Sequence, residues 1–156
     1  MSDTSEIDAA VLAVLTGDAP LLALAPGGVW FDVVGGSNVT RYVLVTQLAH
    51  EDQAMLGGDA WERVLYAVKY VGLSTAGGDA KAAAARIQTL LHDTRYPVEG
   101  YFLMQSSRLE RIRYTERDDV TEGSWQHRGG QYAVWAAPAV AGVLEAPAVA
   151  LEESAA

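Results

Sequence analysis

The chain has 156 residues, a mass of 16.6 kDa and a formal net charge of −9, with 11 Lys and Arg against 20 Asp and Glu. The absence of cysteine excludes a disulfide scaffold, Cys-ligated zinc, an iron–sulfur cluster and a thiol nucleophile, and fits a reducing compartment. The acidity speaks against a surface that grips nucleic acid, which needs a positive field to collect phosphates. No apolar run approaches the roughly 18–20 residues of a membrane span, and the acidic start, MSDTSEID, is unlike the basic start of a secretory signal. Composition therefore points to a soluble, intracellular domain of a size that one hydrophobic core serves.

The first element reads as a helix. Ser5 can cap it, and Ile7, Val11, Val14 and Leu15 recur at three- and four-residue steps. Asp3, Glu6 and Asp8 lie near its start, where the macrodipole favours negative charge. Gly17-Asp18-Ala19-Pro20 stops it, and Leu21, Leu22 and Leu24 make a short apolar turn. Residues 29–31 (VWF) and 42–48 (YVLVTQL) read as strands, followed by a polar stretch with a turn at Gly57-Gly58-Asp59. The longest strand spans residues 61–71, and its faces differ. Glu62, Val64, Tyr66, Val68 and Tyr70 form the better core face; Trp61, Arg63, Leu65, Ala67, Lys69 and Val71 form a half-wet face or one that meets another subunit.

Gly77-Gly78-Asp79 opens the clearest helix, with Asp79 as its N-cap and Ala83, Ala84, Ile87, Leu90 and Leu91 as a narrow apolar stripe. His92 falls in its last turn. A strand at 101–105 continues as a polar segment to Tyr114, and Asp118, Asp119, Glu122 and Gly123 form a loop. The last strand spans 131–136, with 125–128 as a lead-in, and the Gly-Gly pairs read as turn glycines. No GxGxxG motif or βαβ rhythm occurs, so the expectation is one α+β domain at residues 1–137. It has a mostly antiparallel sheet with two helices on one face, followed by an Ala/Pro/Glu-rich flexible tail at 138–156.

Chemistry-bearing constellations are sparse. His50, His92 and His127 lack the HxH, HxxxH or HExxH spacing that places two on one face, so a metal site would have to be assembled by the fold. No GxSxG or GK[ST] occurs, and adjacent carboxylates such as Asp118-Asp119 point apart in a loop. The reading is of a protein with no catalytic residues, no cofactor and no metal. The charge is uneven, however. Residues 1–60 carry eight acids and one base (−7), residues 61–117 six acids and nine bases (+3), and residues 118–156 six acids and one base (−5). The basic middle contains Arg108, Arg111, Arg113 and Arg117 with Tyr114, which suits a solvated strand, a protein interface or a nucleic-acid contact. Trp30, Trp61, Trp125 and Trp135 lie near strand ends or turns, where core packing is the default and interface exposure the alternative.

Five stretches in order resemble one family: VLAVLTGDAPLLALAPGGVWFD, RYVLVTQLAHED, GGDAWERVLYAVKYVGLSTAGGDAKAAAARIQTLL, SRLERIRYTERDD and WQHRGGQYAVWA. Together they are similar to the tail-completion or tail-terminator proteins of long-tailed phages and prophages, over residues 5–137, about 85% of the chain. Arg41 stands where the family often has Pro before its Tyr, and the tail has no family counterpart. The resemblance implies a non-enzymatic virion protein that forms a ring of itself, commonly a hexamer. Such a ring caps the tail tube and joins it to the head–neck connector, with DNA only as passing cargo and no membrane. It implies the head-proximal end of the tail as location, reached through the host cytoplasm during assembly. The alternatives are a head-closure or minor capsid ring component, and a small α+β ligand-binding protein. On this reading Arg108, Arg111, Arg113, Arg117, Tyr114 and Trp61 form the subunit interface, with the arginines meeting the acidic N-terminal third of the next copy.

Overall fold

A computed structural model describes residues 5–36, 38–56, 58–120 and 122–139. The elements are α1 (Ser5–Thr16), α2 (Ala19–Leu24), β1 (Val29–Phe31), β2 (Arg41–Met55), β3 (Gly58–Leu73), a 3₁₀ turn (Ser74–Ala76), α3 (Ala80–Leu91), β4 (Tyr101–Arg117) and β5 (Ser124–Pro138). The strands form one sheet in the order β1-β2-β3-β5-β4, in which β1 runs parallel to β2 and every other pair is antiparallel. The expected α+β architecture is thus present. The segment expected to be an apolar turn at Leu21–Leu24 is a helix, so three helices accompany the sheet. The expected tail lies outside the described residues, apart from Pro138, which pairs with Tyr101, and Ala139.

The strands are longer than their apolar cores. β2 continues through the polar residues 49–55, because β3 lies alongside and takes up their backbone groups in ladder bonds from Ala49↔Leu65 to Met55↔Gly58. β5 likewise runs through Gly129-Gly130, which are strand glycines and not a turn. They sit between β3 and β4, where a Cβ on Gly129 would lie 2.0 Å from the Val68 carbonyl oxygen. Close approach of neighbouring backbone demands glycine there.

The two faces of β3 divide as the alternation predicts. Glu62, Val64, Tyr66, Val68 and Tyr70 are buried on the helix side, joined by Val43, Val45, Tyr132, Val134 and Ala136 from the neighbouring strands. Ile7, Val11 and Leu15 of α1, Leu21 of α2 and Ala83, Ile87 and Leu91 of α3 close over them, each large aliphatic contributing about 1.5–3 kcal/mol by leaving water. Small residues at Ala80 and Ala83 let α3 lie close to the strands. Two buried tyrosines keep polar partners, while the Tyr70 and Tyr132 hydroxyls have none among the described residues. Tyr66 donates to Asp8 of α1, and Tyr96 donates to Ser106 (3.0 Å), which passes a bond to the Leu91 carbonyl (2.7 Å). Burial pushes the Tyr96 and Tyr132 hydroxyls up to about 12. Tyr70 requires Gly78 above it, since a Cβ there would fall 1.9 Å from its hydroxyl.

The opposite face is largely open, although Val71, expected to be half-wet there, is buried together with His127 opposite it. Trp61, Leu65, Ala67 and Lys69 of β3 and Trp135 of β5 are half-buried there. None of the four tryptophans enters the core, contrary to the default expectation. Trp30 instead donates its indole N–H to the Gly27 carbonyl at 2.9 Å, and Trp135 lies under the Arg63 guanidinium at 5.6 Å.

One polar clip ties the helical layer together. Asp18 caps α2 by accepting from the Leu21 N–H (3.0 Å) and takes two bonds from Arg86 of α3, at 2.8 and 2.6 Å. The Arg86 hydrogen bonds hold the Asp18 carboxyl below its ordinary 3.8, helped by Leu21 and opposed by burial. A depressed carboxylate gives its full stability above the unfolded value and loses it as pH falls through the folded one. Asp18→Ala is therefore expected to lower stability by about 1–2 kcal/mol at neutral pH, measured by urea denaturation. The deficit should shrink below pH 4; a deficit unchanged down to pH 2 would contradict the clip.

Candidate functional site

β4 is the edge strand beside β5, and its arginines owe their placement to a one-residue irregularity. The register passes from Arg108↔Tyr132 to Glu110↔Gln131, which leaves Leu109 as an extra residue. A bulge of this kind resets the alternation of faces. Partners in an antiparallel pair point the same way, so Arg108, opposite the core residue Tyr132, faces the helices. Past the bulge, Arg111 opposite Gly130, Arg113 opposite Arg128 and Arg117 opposite Ser124 face that side too. Uninterrupted alternation would have put Arg108 on the face opposite the other three.

Helix α3 completes the site. Its solvent edge brings Lys81, Ala84, Ala85 and Gln88 beside β4, and Arg108, Arg111, Arg113 and Arg128 close a groove of about 320 Å³ between helix and sheet. Gln88 accepts from the Arg108 guanidinium, and the Arg108 N–H donates to His92 Nδ1 at 3.0 Å. These bonds fix the inner end of the groove. Arg111 and Arg113 are exposed and Arg128 is half-buried. No carboxylate lines the groove, and among the described residues none of its five cations joins an ion pair. Five uncompensated positive charges within one groove form an attractive site for a carboxylate-rich or phosphate-rich surface.

The groove brings together three of the six residues expected at an interface, Arg108, Arg111 and Arg113; Arg117 shares their face of β4 but does not line the groove. Tyr114 pairs with His127 and points to the open face, away from the groove. There it stacks on the imidazole, with ring centres 4.2 Å apart, and takes a hydrogen bond from Lys69, whose ammonium lies over its ring at 4.9 Å. Trp61 shares the open face but sits near the other end of β3, some ten residues away, about 33 Å at the usual strand rise. Lys81, Gln88 and Arg128 were missed as groove residues. The first two were legible only as off-stripe positions of α3, and the third belonged to a different strand.

Acidic residues lie across the sheet. β1 covers only residues 43–45 of β2, so the rest of that strand is a second open edge. Glu51 and Asp52 stand exposed on it, Glu51 held by Arg63 at 2.9 Å. A basic edge and an edge bearing exposed acids therefore bound the same sheet.

The fold and its two edges define an α+β sheet domain with open, oppositely charged borders. The chain belongs to the tail completion protein gp17 family, whose model matches residues 9–136, a family of phage-tail structural proteins. Among solved structures, a chain of a "Virion of native gene transfer agent (GTA) particle" is similar in fold: TM-score 0.62 at 19% identity, covering 87% of this chain and 98% of its own. A second solved chain aligns with a TM-score of 0.52 at 13% identity, over 90% of this chain and 98% of that one. No curated protein matches the chain in sequence.

The open-face cluster offers a direct check on the sheet register. His127 is buried beneath Tyr114, with Glu116 at 3.3 Å. Burial and then the Lys69 ammonium lower its proton affinity below the ordinary 6.5, against the pull of Glu116. Folding thus favours the neutral ring, so its contribution is complete above pH 6.5 and declines as pH falls through the folded value. The imidazole NMR titration of His127 is expected to have a midpoint below 6.5, and His127→Gln should flatten the acid side of the stability profile. A midpoint at or above 6.5 would place His127 outside this packed stack.

Proposed function

We propose that the chain is the tail terminator of a phage-like particle, a ring of identical subunits that caps the tail tube and joins it to the neck below the head. Family membership supports the tail role, and the fold likeness to a chain of a gene transfer agent virion supports a place in a particle of that kind. On this reading the neighbours are the tube protein and the connector protein, and DNA passes through without being gripped. The ring is most simply a hexamer.

The observation that carries the self-assembly reading is the row of unpaired cations at β4, set across the sheet from Glu51 and Asp52 on the open part of β2. A surface that meets a different surface of its own copy generates a ring when the rotation closes. Complementary charge supplies the steering and excludes the head-to-head pairing of two basic edges. The half-buried open face, with Trp61 and Trp135, adds apolar area of the kind that interfaces retain.

Arg111→Glu/Arg113→Glu reverses charge at two exposed positions whose side chains hold no hydrogen bond or ion pair among the described residues. The double variant is expected to fold normally by circular dichroism and to run as a monomer in light scattering under conditions where the parent assembles. A variant that assembles like the parent would remove the groove from the interface. Charge-restoring Glu51→Arg on a second copy should recover mixed oligomers.

A further inference from the structure

We infer that His50, Asp52 and Glu62 form a binding site for a divalent transition-metal ion, of the Zn²⁺ or Mn²⁺ type, at the base of the β2–β3 arm. The site is assembled by the fold. Leu48 is an extra residue in β2, since Gln47 pairs with Tyr66 and Ala49 with Leu65. Up to Gln47 the odd-numbered residues of β2 face the helices. Past the bulge the even-numbered ones do, so His50 comes opposite Val64 and Asp52 opposite Glu62, on the side where Val64 and Glu62 are buried. Without that residue, His50 and Asp52 would point to the other face from Glu62.

The three side chains converge. His50 Nε2 lies 3.4 Å from Asp52 Oδ1 and 4.0 Å from Glu62 Oε2, and one ligand atom from each of the three falls within 4.8 Å of the others. Zinc bonds of about 2.0–2.2 Å put neighbouring ligand atoms about 3.4 Å apart in a tetrahedral shell. The His50–Asp52 separation already has that value, and the Glu62 carboxylate needs only a side-chain adjustment, from a cluster already within 4.8 Å, to join the shell. His50 Nε2 is sealed from solvent and has no hydrogen-bond partner among the described residues. Glu62 is only 2% exposed, and coordination of a metal ion is one of the ways a deeply buried carboxylate is accommodated. One imidazole and two carboxylates suit a borderline divalent ion better than a soft one. Three protein ligands also leave a fourth position, which the half-exposed Asp52 opens to water or to a donor from another molecule.

The ion would bridge β2 and β3 at the base of an arm whose residues 51–56 are exposed. It would stiffen an arm held by its ladder and by the Glu51–Arg63 pair.

Calorimetric titration of the metal-free full chain with ZnCl₂ is expected to give saturable binding at one ion per chain. His50→Gln and Asp52→Asn should each weaken it at least tenfold, and Asp52, being half-exposed, is replaced without disturbing the core. His92→Gln should leave it unchanged, although His92 also has a carboxylate, Asp93, at 3.3 Å. Zn²⁺ should slow amide exchange at residues 51–55 in the parent and leave it unaltered in Asp52→Asn. Absence of saturable binding would overturn the assignment and leave the three side chains as a polar contact between β2 and β3. Binding undiminished in both His50→Gln and Asp52→Asn would overturn it equally, moving the ion to the His92 or His127 pairs.

Discussion

The two-residue period of the strands is the constraint on which the rest of this structure depends, together with the single residues that interrupt it. In the middle of the sheet the period holds without a break. From Trp61 to Val71, alternate β3 residues face the helices and the open side, and the buried tyrosines and valines collect in one layer. Toward the edges it is reset. Leu48 in β2 and Leu109 in β4 each stand outside the ladder, and beyond each one the polar side chains change face. One reset gathers the arginines over α3; the other turns His50 and Asp52 toward Glu62. Each of these two polar clusters thus sits just past an interruption, where a bulge can re-aim side chains without disturbing the core.

Three of the bulged residues share another property. Leu48, Met104 and Leu109 are large, apolar and 47%, 43% and 50% exposed. Edge strands that must remain single are usually blunted by charge, proline or bulges. Here the edges carry charge and bulges together, and the bulges display apolar side chains among the charges. That combination suits an edge that joins a specific partner and discourages indiscriminate strand pairing. It accords with the tail completion family to which the chain belongs, whose members act in a particle of many chains.

Much of this architecture was legible beforehand. The stripes of α1 and α3, the cap at Asp79, the core face of β3 and the antiparallel character of the sheet follow from residue spacing and local propensity, whereas Asp18 read as part of a helix stop and turns out to cap α2. The polar continuation of β4 was legible as far as Tyr114, but the polar extension of β2 was not, because residues such as Glu51 and Gln53 read as a polar stretch before a turn until β3 supplies partners for their backbone. Gly129-Gly130 misled for a related reason: glycine pairs mark turns by conformational freedom, whereas here they mark the closest approach of three strands. The tryptophans misled through their size, since indole rings are large enough to shield the open face without entering the core.

For the site, the sequence by itself determined the inventory: a basic stretch containing four arginines, an acidic amino-terminal third, three scattered histidines and no thiol. Each of these is a property of composition and linear spacing. Which of those groups share a surface was decided only by the tertiary structure. Arg128 and Lys81 join the arginines of β4, Tyr114 is sent to the opposite face, and Glu62 meets a histidine twelve positions away. The physical reason is that face assignment in a strand depends on register, and one unpaired residue inverts it. The energy that selects such a residue comes from packing between strands far apart in the chain.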